Sequence, residues 1–292
     1  MKKLIQLYFR FLSSLSPKLA ANQAFELFQK PLNKKIRKKE LPFYETAKSF
    51  SLKHQQEDIQ CYELGDPTHP LVLMVHGWES NAASLSAIAT PLAEAGHHVI
   101  LFNLPAHGYS KLKKTNIKRC KDVFLAVVAH LQPKGRFSII SHSFGSAVTS
   151  FALSKSSYAV DQLIFLTSPN EITNIFKEFA NFIGLSQKSF HHLCRKAEAI
   201  LHEPLDHLKV EGLGNKIDYQ NLLIIHDKDD KIIPKSNAEE ITKQWANADL
   251  KLIEKTGHYK MLWNDQVIDH IVWSLTKNKE EHLKKMIYAT AF

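Results

Sequence analysis

The chain has 292 residues, of which 44% are hydrophobic and 23% charged, with ten Gly and eleven Pro. That composition fits one large or two modest globular domains and excludes collagen-like, low-complexity and disordered architectures. The net charge of +9 is uneven: the first 40 residues hold ten Lys or Arg against two acids, Glu26 and Glu40, a net +8. The remainder is close to neutral, so a nucleic-acid groove spread over the main body lacks an electrostatic motive.

Cys61, Cys120 and Cys194 are odd in number and lack any C-x-x-C pairing. This argues against a disulfide framework or a cysteine-based zinc site and fits a reducing, cytoplasmic setting. No window reaches 18 apolar residues, so no spanning helix is expected. The N-terminal run LIQLYFRFL imitates a signal peptide, but Arg10 interrupts it and no small-x-small cleavage site follows.

In chain order, Leu4, Leu7, Phe11 and Leu15 recur at helical spacing, and Ser16-Pro17 punctuates the run before a second helical segment through Phe28. Residues 33–40, NKKIRKKE, carry six charges and read as a linker or solvated edge. The expected division is a basic helical segment over 1–40 and a main domain over 41–292. Residues 45–53 and 58–64 read as a hairpin, after which short β-rich runs alternate with helical ones. LVLMV (71–75), HVILFN (98–103), FSIIS (137–141), QLIFLT (162–167), LLIIH (222–226) and LKLIE (250–254) are continuous apolar runs, expected of strands covered on both faces. A closing helix is expected from about Asp265. The class is therefore α/β, with a mostly parallel, doubly wound sheet. The rhythm fails between about 170 and 217, where Ile172, Phe176, Phe179 and Ile183, then Phe190, Leu193, Ala197 and Leu201, mark helices between strands. These either form a small helical lid or coat the sheet.

Four short strings carry chemistry. Ser141-His142-Ser143-Phe144-Gly145 follows an apolar strand and opens a helix-capable run. A nucleophile on so sharp a turn needs small neighbours two residues either side, and Ser141 and Gly145 are small. The Phe144 N–H, at the helix N-terminus, is then offered to a developing oxyanion. His76-Gly77-Trp78 ends the first buried strand. HDKDDKIIP (226–234) offers Asp227, Asp229 and Asp230, any of which could be a solvated loop residue. Thr256-Gly257-His258-Tyr259 follows the last strand, although with 16 histidines in the chain one His alone says little.

Taken together, these strings resemble the α/β-hydrolase superfamily over about residues 70–275, with Ser141 in place of the usual first glycine of the nucleophile elbow and Asn103 where Asp is common. The resemblance implies Ser143 as nucleophile, Asp230 (four residues before Pro234) as the acid, His258 as the base, and the N–H groups of Trp78 and Phe144 as oxyanion donors. The order Ser, Asp, His is that of the superfamily. A serine rather than an aspartate at the elbow implies ester, thioester or amide substrates and no cofactor. His191, His192, His202 and His207 lack a metal-ligand pattern, so no metal is expected.

The resulting expectation is a serine hydrolase of a small-molecule carboxylic ester with an apolar acyl or alcohol part, working through an acyl-enzyme. The phenylalanines of the insertion, Phe176, Phe179, Phe182 and Phe190, carry the apolar preference. A thioesterase or acyltransferase with the same triad is the alternative, and a non-catalytic binding protein on this scaffold the more distant one. For the basic N-terminal stripe two readings compete: it packs on the core, or it contacts an anionic membrane peripherally.

Overall fold

A computed structural model describes residues 2–55 and 57–290, with side chains as far as Lys277. The chain begins with helices α1 (Lys2–Leu15), α2 (Pro17–Phe28) and α3 (Leu41–Thr46), then the hairpin β1 (Lys48–His54) and β2 (Glu57–Leu64). There follow β3 (Leu71–Val75), α4 (Ser86–Glu94), β4 (His98–Phe102), α5 (Ile117–Leu131), β5 (Phe137–His142), α6 (Phe144–Leu153) and β6 (Ala159–Leu166). Helices α7 (Ile172–Ile183) and α8 (Gln187–Leu201) precede β7 (Asp218–Asp227), α9 (Ser236–Gln244), β8 (Ala248–Ile253), α10 (Gly257–Lys260) and α11 (Asp265–Thr290).

Among the described residues these strands form one eight-stranded sheet in the order β1-β2-β4-β3-β5-β6-β7-β8. The strands from β4 to β8 are parallel, while β2 pairs antiparallel with both β1 and β4. Alternation explains the continuous apolar runs. In β3, Leu73 and Val75 join a core under α5, α6 and α9, whereas Val72 and Met74 join a second core under α4 and α11. In β7, Leu222 and Ile224 face the first core and Leu223 and Ile225 the second. A strand apolar at every position can only be buried on both sides.

Ser16 breaks the N-terminal pair of helices: its hydroxyl accepts from Leu19 N, and Pro17 follows at the first helical position, where no N–H is missed. Helix α1 touches α2 and α7, and α8 touches α2 and α7, so the four close into a cap. Ser13 of α1 accepts from Ser186 N and from the Ser189 hydroxyl, joining α1 to α8. Lys196 of α8 donates to Asn22 of α2 at 2.8 Å.

Two expectations need correction. The N-terminal segment does pack on the core, but through Phe9, Leu12 and Ser13; the stripe Leu4, Leu7, Phe11 and Leu15 points to solvent. The linker at 33–40 is not wholly solvated either. Glu40 is buried, its carboxylate accepting from Arg37 N and Asn81 Nδ2, and so anchors the segment beside the sheet. No helix among the described residues is long and apolar enough to cross a membrane.

Candidate active site

The chain proceeds from β3 to β4 on one side and crosses to β5 on the other, so a crevice opens at the C-terminal ends of the central strands. Every singled-out residue lies there. Ser143 joins β5 to α6 with φ 51° and ψ −122°, a strained conformation for a non-glycine residue. The strain is held by packing. A Cβ on Gly145 would fall 2.5 Å from the Val75 carbonyl oxygen and 2.7 Å from that of His76, so α6 approaches β3 closely only because residue 145 is glycine.

Ser141, buried beneath the elbow, is accommodated by a 2.7 Å hydrogen bond between its hydroxyl and that of Thr149 on α6. The larger side chain is thus paired rather than merely tolerated.

His258, after β8, stands between Ser143 and the loop after β7. The Ser143 hydroxyl lies 2.9 Å from Nε2, and Nδ1–H donates to Asp230 Oδ2 at 2.8 Å. Burial opposes ionisation of Asp230, but the hydrogen bond and charge of His258, with the N–H groups of Ile233 and Ile232, outweigh it and hold the carboxyl below its usual range. The carboxylate is therefore charged and aimed at the imidazole. Of the three neighbouring acids the structure brings Asp230 alone to His258. Asp229 is exposed, and Asp227 does something different. Its buried Oδ2 accepts from Thr256 N, Thr256 Oγ1 and Gly257 N, and its Oδ1 from Asp229 N. Asp227 thus fastens the loop carrying Asp230 to the loop carrying His258. The sequence offered Asp227 only as one of three candidate acids or a solvated loop residue and gave no sign of this role, because Thr256 and Gly257 lie about thirty positions downstream.

Two histidines of the singled-out strings have roles the sequence did not show. His142 is fully buried beside Ser143 and donates through Nε2–H to the His258 carbonyl at 3.0 Å. Burial, then the neighbouring His258, pushes its pKa down to about 3, so it stays a neutral donor. His76 accepts Leu104 N–H at Nε2 and donates from Nδ1 to the Gly77 carbonyl at 2.7 Å. In a trans peptide the C=O and N–H point in opposite directions, so holding the Gly77 carbonyl toward His76 turns the Trp78 N–H away from it. Gly77 sits tightly against the elbow: a Cβ there would come 2.9 Å from His142 Nδ1 and 3.2 Å from Ser143 Cβ. Asn103 accepts from Ala82 N at 2.9 Å and so supports the loop after β3.

A family model described as α/β hydrolase fold matches residues 70–190. The chain has the α/β-hydrolase fold. Two human proteins, serine hydrolase-like protein and serine hydrolase-like protein 2, are each 29% identical to it over 128 residues, 42% of this chain. The match spans 62% of the length of the first relative and 40% of the second. Among solved structures, a candidate lipase from Acinetobacter baumannii AYE superposes with TM-score 0.66 at 20% identity, covering 85% of this chain and 99% of its own. A membrane phospholipase A described as a bacterial virulence factor gives TM-score 0.62 at 15% identity, with 96% and 99% covered. Coverage of 96% leaves too few residues to omit the first 40, so that fold match includes helices of the N-terminal segment.

A cavity of about 630 Å³ opens over Ser143 and His258, between the sheet and the four-helix cap. Phe176, Phe179 and Phe182 line it with Phe25, Phe28 and Ile200, whereas Phe190 packs beside the core instead. Phe28 stacks on Phe176 with ring centroids 4.3 Å apart, so the N-terminal segment supplies part of the wall.

Proposed function

We propose that the chain is a serine hydrolase of carboxylic esters carrying an apolar acyl group. The observation that carries this reading is the hydrogen-bonded relay from Ser143 through His258 to Asp230 at the floor of an aromatic and aliphatic cavity. Ser143 Oγ attacks the ester carbonyl as its proton passes to His258 Nε2, and Asp230 stabilises the resulting imidazolium. The N–H groups of Trp78 and Phe144 receive the oxyanion, the first oriented by His76 and the second by the start of α6. His258 then protonates the leaving alkoxide, and a water, deprotonated by the same imidazole, releases the acyl group as a carboxylate.

The cavity supports the apolar preference by size as well as lining. A dry apolar cavity of about 150 Å³ holds a benzene, and roughly four times that space suits a medium or long acyl chain. Two structural neighbours, the candidate lipase and the membrane phospholipase A, agree with this substrate class. Labelling of the folded protein by a fluorophosphonate probe tests the reading. Label should be lost in Ser143→Ala and kept in Ser141→Ala, which removes only the partner of Thr149. Equal labelling of wild type and Ser143→Ala would remove the nucleophile from the scheme.

A further inference from the structure

Helix α1 is apolar on two faces. One, with Phe9 and Leu12, is buried in the core. The other is not covered by any described part of the chain: Leu4 is 71% exposed, Leu7 67%, Phe11 62% and Leu15 67%. At 3.6 residues per turn these four and half-exposed Tyr8 fall within an arc of about 100° along the helix. Isolated exposed leucines need no explanation, but an aligned face of this kind marks a surface for another apolar phase. It continues onto the cap, where Phe182 is 51% exposed and Lys2 Nζ lies 5.0 Å from its ring centroid.

Charge selects the occupant. Helix α1 contains no acidic residue, and exposed Lys3 and Arg10 lie along one border of the apolar arc. Beyond its C-terminal end, Lys18 of α2 joins Lys188 and Arg195 of α8 in the electrostatic field felt by His192. A two-fold contact with a second copy would set this basic surface against itself. An interface with anionic headgroups satisfies both features, since apolar side chains enter the acyl boundary while Lys and Arg reach phosphates.

The position of the helix adds a functional reason. Ile5, on the inner side of α1, and Phe182 both line the cavity, so one helix separates the exposed face from the proposed acyl site. We propose that α1 lies flat on an anionic phospholipid surface through Leu4, Leu7, Phe11 and Leu15, and that the cavity beneath it takes its apolar ester from that bilayer. The second half rests on the ester-hydrolase reading; the docking does not.

Full-length protein sedimented with vesicles of phosphatidylcholine, alone or mixed with phosphatidylglycerol, tests the docking. Wild type should pellet with the anionic vesicles at low salt and lose about tenfold in partitioning at high salt or on neutral vesicles. The double variant Leu7→Ser, Phe11→Ser should lose about tenfold at low salt, and Lys3→Glu, Arg10→Glu should abolish the preference for anionic lipid. Leu7 and Phe11 do not line the cavity, so Leu7→Ser, Phe11→Ser should hydrolyse a soluble short-chain ester at the wild-type rate. Its rate on a long-chain ester embedded in anionic vesicles should fall in step with binding. Wild type that stays in the supernatant, or a double variant that pellets equally well, overturns the proposal. A solution dimer that Leu7→Ser, Phe11→Ser converts to monomer, without vesicle binding by wild type, overturns it in favour of a second copy. Wild type that docks as described but turns over neither ester leaves the docking standing and removes the hydrolase reading.

Discussion

Asp227 and Asp230 stand three positions apart, yet their partners give them separate consequences on substitution. Asp230→Asn keeps the shape but presents an amide to His258, and under the proposed mechanism it disturbs the tautomer and withdraws the charge that would stabilise an imidazolium; turnover should fall by about 10³- to 10⁴-fold. Asp227→Asn acts through position. Its carboxylate receives four hydrogen bonds, three of them on Oδ2, and either orientation of an amide leaves donor facing donor. An unsatisfied buried group costs about 1–3 kcal/mol, so this variant should unfold at lower denaturant and lose about tenfold in kcat with KM little changed. Asp229→Asn, at an exposed position, should match wild type in both measurements. The elbow at Ser143 was legible because its steric demands fall within five consecutive residues. The work of Asp227 and His142 was not, because it depends on contacts with residues 256–258, which only the closed sheet brings near.

At the scale of elements, legibility followed periodicity. Strands buried on both faces read directly as continuous apolar runs, and β3, β4, β5, β7 and β8 lie where those runs fall. Helix α9 was missed because only Ala238 and Ile241 of its nine residues are buried, too weak a stripe to see. The cap was half visible: the spacing marked α7 and α8 but gave no sign that α1 and α2 join them, since hydroxyl and amide contacts such as those of Ser13 and Lys196 leave no pattern. Cap architecture has a measurable consequence. Ala197 of α8 is buried and lines the cavity, so a larger side chain there fills the proposed acyl space without replacing Ser143, His258 or Asp230. Ala197→Leu should lower kcat/KM for a dodecanoyl ester by about tenfold relative to wild type while leaving a butanoyl ester nearly unchanged, the loss of a few buried methylenes at about 0.8 kcal/mol each sufficing. An equal fall for both esters would place the acyl chain elsewhere.

For the molecule as a whole, crowding the site with buried histidines sets a limit on acid tolerance. Burial is the largest influence on all three of His76, His107 and His142, which sit at the C-terminal ends of the central strands with their pKa values lowered: His107 to about 4, His142 to about 3 and His76 well below its usual value. In the unfolded chain each titrates near about 6.5. Below that pH the unfolded state binds protons that the folded state refuses, so stability is fully present above about pH 6.5 and drains away as pH falls toward the folded values. Each histidine then contributes about 1.4 kcal/mol per pH unit, and near pH 5.5 the three together remove on the order of 4 kcal/mol, a large share of the roughly 5–15 kcal/mol that holds a domain. Carboxylates with lowered values start from 3.8, as do Asp227 and Asp230, or from 4.5, as do Glu26 and Glu63, and act at lower pH, which leaves the window from about pH 6.5 to pH 5 to the histidines. The urea midpoint should therefore drop steeply between about pH 7 and pH 5.5, and, with buried His226 also lowered and adding to the drop, His142→Phe should flatten it by up to about a third whatever it does to absolute stability. A midpoint that holds level across this window would mean that these rings are charged or solvated in the fold, and with that the neutral donors assigned to the Gly77 peptide and to the His258 backbone would be lost.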